Sequence, residues 1–161
     1  MNNKNIGFTI GKFAPLHKGH QLLLETAIKE MDEVYCVIYD TDVIDIDVKQ
    51  RAEWINKLYP KVHILFAYDS PKQYGLDKES VDIQMKYLSN IINEIPVTHF
   101  YSSEPYGEKV ANYLKIKNRQ VDMEKKAVPI NASDIRKDYD KNKQYLEDFI
   151  FDKLKNKWYY K

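Results

Sequence analysis

Short runs rich in β-branched and aromatic residues recur along the chain at 6–10, 34–39, 62–68 and 98–101, with a weaker one at Gln120 and Val121. Runs of this length and composition read as strands. Between them lie longer segments with helical spacing: Leu24, Ala27, Ile28 and Met31; Val48, Ala52, Ile55 and Tyr59; Val81, Met85, Leu88, Ile92 and Ile95. Strands separated by helix-length segments pair in parallel through right-handed crossovers, and nearly continuous apolar runs suit strands buried on both faces. The pattern predicts an α/β fold, a doubly wound parallel sheet of about five strands with helices on both faces.

The 161 residues make one domain's worth, and no linker or internal repeat divides them. A single domain over 1–161 is therefore expected. Pro60 and Pro96 follow predicted helices, where a residue unable to continue a helix is useful. From about residue 143, Leu146, Ile150 and Leu154 share a face, with Phe149 and Trp158 nearby, which predicts a closing amphipathic helix. With 25 basic and 24 acidic residues the net charge is +1, so general binding to nucleic acid is not expected and any anion must be held locally. A single cysteine, Cys36 in an apolar run, reads as a core residue and fits a reducing compartment. Neither a secretory leader nor a run of about 20 apolar residues occurs, so a cytoplasmic protein without membrane contact is expected. Homo-oligomerisation is left open.

Chemistry concentrates in residues 11–20, Gly-Lys-Phe-Ala-Pro-Leu-His-Lys-Gly-His, directly after the first predicted strand. Ligands in open α/β sheets bind beyond the carboxyl ends of strands, where this segment falls. Gly11 lets a ligand approach the backbone, Pro15 stiffens the turn, and His17 and His20, three apart, share a face at the helix start, where exposed amides favour phosphate. A second segment, Tyr101-Ser-Ser-Glu-Pro-Tyr-Gly-Glu, places the Ser102 and Ser103 hydroxyls at a strand end and Glu104 where it can accept from a ribose or amine. In a third, Ile130-Asn-Ala-Ser-Asp-Ile-Arg, Ser133 is suited both to cap a helix and to donate to phosphate, with the forked cation of Arg136 on the same face.

These segments resemble the nucleotidyltransferase superfamily, whose H-x-G-H is matched by His17, Gly19 and His20, and whose fold is Rossmann-like. The Gly11-Lys12-Phe13 opening is similar to the nicotinamide mononucleotide adenylyltransferase domain of the bacterial multifunctional and archaeal type. The resemblance covers residues 6–149, with its motifs in the expected order. It implies catalytic roles for Lys12, His17, His20 and Arg136, and nucleotide contacts from Gly11, Phe13, Gly19, Ser102, Ser103, Glu104, Asn131 and Ser133. A basic residue common after Val121-Asp122 is represented by Lys125 or Lys126. No P-loop pattern accompanies the match, so the kinase of the multifunctional relatives is not expected.

The implied reaction moves AMP from ATP to the phosphate of nicotinamide or nicotinate mononucleotide, giving a dinucleotide and pyrophosphate. An ionised phosphate is already a nucleophile, so positioning and charge stabilisation suffice. Magnesium is expected on the ATP phosphates, with no dedicated protein ligand. Two departures bear on the acceptor. Gly75 is followed by Leu76 where such enzymes carry a tryptophan, leaving Tyr74 as the stacking platform, and residues 40–47 hold four aspartates where a basic residue is common. Adenylyl or cytidylyl transfer to phosphopantetheine or glycerol phosphate, and a nucleotide sensor without turnover, are the alternatives.

Overall fold

A computed structural model describes residues 3–158, with side chains through Lys155. Five strands, β1 (Ile6–Gly11), β2 (Glu33–Tyr39), β3 (His63–Ala67), β4 (His99–Ser102) and β5 (Lys117–Gln120), form one sheet in the order β3-β2-β1-β4-β5. Every pair is parallel. The helices are α1 (Lys18–Glu30), α2 (Val48–Leu58), α3 (Lys78–Ile92), α4 (Gly107–Leu114), α5 (Ala132–Lys137) and α6 (Asp148–Trp158). The Rossmann-like architecture is the one the alternation of strand and helix signals predicts. The chain winds outward from β1 in both directions, so the crevice between its two halves opens at the carboxyl ends of β1 and β4.

Alternation along the strands splits the core in two. Phe8, Val37 and Phe100 pack with Met85, Leu88 and Ile92 of α3 and Val110 and Ala111 of α4. Their neighbours Cys36, Ile38 and Tyr101 join the opposite layer with Leu24 and Ala27 of α1, Ala52, Trp54 and Ile55 of α2, and Ile150 and Leu154 of α6. Helix starts carry their own signals. Asp47 accepts from Gln50 N at 2.8 Å and Asp77 from Ser80 N at 3.1 Å, each satisfying an otherwise unpaired amide. No helix among the described residues is long and apolar enough to cross a membrane.

Two local expectations are revised, for β5 and the closing helix, and α4 and the acidic loop add features the spacing did not mark. α4 was not marked by helical spacing, because its eight residues bury only Gly107, Val110 and Ala111. β5 lies at Lys117–Gln120, ahead of the weak apolar signal, because an edge strand with exposed side chains needs no apolar run. Val121 follows it and donates its N–H to Ser102 O at 2.9 Å. The closing helix starts at Asp148: residues 143–145 form a 3-10 turn and Leu146 is extended, yet Leu146, Ile150 and Leu154 are all buried as their spacing required. The Trp158 side chain and residues 159–161 lie outside the described residues. In the acidic loop at 40–47, Ile44 and Ile46 alternate with the aspartates and anchor it in the α2 layer.

Leu88 is fully buried at the middle of α3. Leu88→Ala is expected to lower unfolding free energy by about 2–5 kcal/mol, measured by urea titration, with the slope of the transition unchanged.

Candidate active site

β1 ends at Gly11, and the link to α1 doubles back over it. Phe13 takes a left-handed backbone (φ 51°) and turns its ring into the core, 3% exposed. A Cβ on Gly11 would meet that ring at 3.2 Å, so the glycine accommodates Phe13 as well as leaving the strand end open. Phe13 is thus mainly a packing residue, its ring edge-on to His20 at 4.7 Å.

His17 and His20 cap α1 reciprocally. His17 Nδ1 accepts from Gly19 N at 3.0 Å and His20 Nδ1 accepts from His17 N at 3.2 Å, while the two rings stack with centroids 3.8 Å apart. A Cβ on Gly19 would come within 2.7 Å of the His17 ring, so only glycine fits between the histidines. Burial, and then the charge of Lys125, pushes His17 down to about 4; burial, His17 and Lys125 together hold His20 well below its ordinary value. Both imidazoles are therefore neutral at pH 7. Because each Nδ1 is an acceptor, the single ring proton sits on Nε2, and each ring offers an Nε2–H donor without a positive charge.

Charge at this place comes from Lys125, whose loop is tied by one carboxylate. Asp122 accepts from the backbone N–H groups of Lys126, Ala127 and Val128 at 2.8, 2.9 and 2.9 Å, and these bonds hold it below the usual carboxylate range. Lys125 Nζ donates to Ser103 O at 3.1 Å and pairs with Glu104 at 3.4 Å. Lys126 pairs with Glu124 in solvent. Tertiary structure thus chooses Lys125 between the two lysines.

The other expected residues divide. Ser102 is buried and engaged in the turn, its Oγ donating to Glu104 O at 3.0 Å and accepting from Glu104 N at 3.1 Å. Asn131 caps α5, accepting from Asp134 N at 2.9 Å and from Ser133 Oγ at 2.7 Å, so Ser133 is a second-position helix residue and not the cap. Asn131 wins because its side chain reaches the amide three residues on, which only the residue ahead of the helix can do. Arg136 Nη1 donates to Ala14 O at 2.7 Å, tying α5 to the link that carries His17.

Two adjoining cavities collect these groups. The smaller, about 220 Å³, is lined by His17, Gly19, His20, Ser102, Ser103, Glu104, Lys125 and Asn131 among others. The larger, about 730 Å³, is lined by Lys12, Asp40, Asp42, Asp69, Lys109 and the 63% exposed Tyr74, with Leu76 at its side. Gly11 lines both. Ser133 and Arg136 line neither, whereas Asn131 and Ala132 bring the start of α5 to the smaller one.

Sequence reading missed Arg51, a fully buried guanidinium. It donates from Nε to Ile46 O at 3.1 Å and from Nη1 to Tyr39 O at 3.1 Å and to Lys12 O, clamping the ends of β1 and β2 and the acidic loop. Burial lowers its pKa, and Asp40 and Asp47 oppose that shift. The signal was available: Arg51 stands at the core-facing spacing of Val48, Ala52 and Ile55.

Comparison with known proteins yields a family and a fold. The family described as cytidylyltransferase-like matches residues 8–138. The trifunctional NAD biosynthesis/regulator protein NadR of Salmonella typhimurium is 27% identical over 151 residues, a match covering 83% of this chain and 36% of that protein. The chain thus spans about a third of the length of this relative. The crystal structure of NadR protein in complex with NAD and AMP-PNP superposes with a TM-score of 0.62 at 19% identity, covering 89% of this chain and 44% of that one. A bifunctional NMN adenylyltransferase/ADP ribose pyrophosphatase from Francisella tularensis, solved with AMP and a manganese ion, gives 0.61 at 19% identity, with the same coverage of 89% and 44%.

The depressed histidines make stability pH-dependent. Unfolded imidazole titrates near 6.5 and folded His17 at about 4, so the unfolded chain binds more protons between those values and stability falls as pH drops through the window. His17 alone is expected to cost about 2 kcal/mol between pH 7 and pH 5. Urea titrations at the two pH values should show it, and His17→Asn, which keeps a capping side chain, should show a smaller drop.

Proposed function

The chain belongs to the cytidylyltransferase-like family, and from that premise we propose that it transfers AMP from ATP to the 5′-phosphate of nicotinamide mononucleotide, or the nicotinate form, producing a dinucleotide and pyrophosphate. The observation that carries this reading is the pair of cavities joined at Gly11, with His17, His20 and Lys125 on one side and Lys12 on the other. One side suits a triphosphate, the other a phosphorylated acceptor. The names of the relatives, NAD biosynthesis protein and NMN adenylyltransferase, support the same substrates.

In this reading an acceptor phosphate oxygen attacks the α-phosphorus in line, the α–β bridging bond breaks, and the electron pair leaves with pyrophosphate. The acceptor phosphate needs no base. His17 and His20 donate Nε2–H bonds to non-bridging oxygens, Lys12 joins the acceptor and α phosphates, and Lys125 exchanges Glu104 for phosphate. Arg136 and Ser133 line neither cavity but stand on α5, whose cap Asn131 and first residue Ala132 line the smaller one, and in this reading they receive the pyrophosphate as it leaves. Preset donors of this kind act because they need no reorganisation when charge develops. Magnesium would shield the triphosphate. The carboxylates beside it, Asp122 and Glu104, are engaged by backbone amides and by Lys125, a donor set that suits an ion carried in on phosphate oxygens and water.

Two features favour a second reading, the same transfer to a different phosphorylated acceptor: Asp40 and Asp42 line the larger cavity, and Leu76 stands there in place of a tryptophan. Pyrophosphate release with ATP or CTP, magnesium, and nicotinamide mononucleotide, nicotinate mononucleotide, phosphopantetheine or glycerol phosphate separates the two. Release with ATP and a pyridine mononucleotide is expected; absence of product with both mononucleotides refutes the leading acceptor. His20→Ala is expected to lower turnover by about 100- to 1,000-fold with an unchanged circular dichroism spectrum.

A further inference from the structure

Among the described residues, only Ile10, Gly11 and Tyr106 line both cavities. Ile10 offers an aliphatic chain and Gly11 no side chain, so the Tyr106 phenol is the one side-chain hydrogen-bonding group common to the two. Tyr106 stands immediately ahead of α4 with helical backbone angles, behind the turn that Ser102 closes on Glu104, and Gly107 N donates to Glu104 O at 3.1 Å. Its ring leans on the fully buried Phe100, centroids 6.3 Å apart, and Phe100 in turn packs on Phe8 at 4.8 Å. A ring seated on a paired core strand has little freedom to move. The residue is partly buried and lines both cavities.

A phenol set where two cavities meet can donate to a ligand group in either. We propose that Tyr106 touches both substrates during transfer, its O–H donating to a non-bridging phosphate oxygen where the two cavities meet and its ring closing that passage to water. This rests on the nucleotidyl-transfer reading above and adds to it a residue that aligns acceptor and α-phosphorus. The step leaves Tyr106 unchanged: the acceptor oxygen bonds to the α-phosphorus, the bridging oxygen departs with pyrophosphate, and the phenol keeps its proton. Burial and the neighbouring Glu104 push that phenol up to about 12, so it acts as a donor and not as a base at neutral pH.

The two jobs separate by substitution. Tyr106→Phe keeps the ring and removes the donor; Tyr106→Ala removes both. With ATP and whichever acceptor the wild-type protein uses, Tyr106→Phe is expected to lower kcat by roughly 10- to 100-fold, the lower part of the range for a lost transition-state donor. ATP affinity, from calorimetric titration without acceptor, should stay within about threefold, since the hydroxyl acts only when both phosphates are present. Tyr106→Ala should in addition raise the ratio of ATP hydrolysis to transfer, read as AMP formed without acceptor. Wild-type kcat in the Phe variant, or an equal loss of ATP binding and kcat, overturns the proposal. Wild-type turnover with a different acceptor refutes the mononucleotide reading but leaves the Tyr106 comparison decisive with that acceptor. A wild-type protein that transfers to none of them overturns both.

Discussion

β1 is hydrogen-bonded on both sides, to β2 along Ile6–Gly11 and to β4 at Gly7 and Phe8. A strand paired on both edges and covered on both faces cannot shift without exposing a set of apolar side chains, because a slip of one residue exchanges its two faces. Its last residue, Gly11, therefore has a fixed place, and so has the link that leaves it. The parallel topology adds a second condition: every strand enters its crossover at the same edge, so the loops after β1, β2, β3 and β4 gather there. Lys12, Asp40, Asp69 and Ser103, far apart in sequence, are neighbours of the same pair of cavities for that reason.

The groups at this edge have structural duties that also set their chemistry. Capping α1 consumes the Nδ1 atoms of His17 and His20, which settles the tautomer, and burial keeps both rings uncharged. A neutral Nε2–H donor can sit beside its twin at 3.8 Å, whereas two imidazolium ions could not. Cationic character is left to the lysines, which arrive from the β1 link and from the loop braced by Asp122. Arg51 completes the frame from within the α2 layer, where one guanidinium donates to carbonyls of the β1 link, the end of β2 and the acidic loop. Each device braces the loops that line the two cavities.

Much of this was legible in the chain itself. Strand and helix signals alternate strongly in the first three units, and the glycine-lysine-phenylalanine and histidine-x-glycine-histidine elements stand at a strand-to-helix junction, where an α/β sheet puts its ligands. Legibility failed where a residue's environment comes from distant segments. β5 is polar because it is an edge, α4 is too short for its spacing to register, and Ser133 yields its capping role to Asn131 two residues earlier. Lys125 and Lys126 are equivalent as letters, and only the Asp122 loop sends one to Glu104 and the other to solvent. Arg51 could have been noticed as a charge on an apolar helix face, but its carbonyl partners could not.

The sequence by itself determined the order of elements, the parallel winding and the segments that carry chemistry, because these follow from local periodicity, turn residues and short-range spacing. Tertiary structure alone decided which hydroxyls stay available, which lysine joins the histidines, how those histidines are protonated, and that Tyr106 stands between two cavities. Those properties depend on burial and on partners tens of residues away, which the order of residues along a chain does not display.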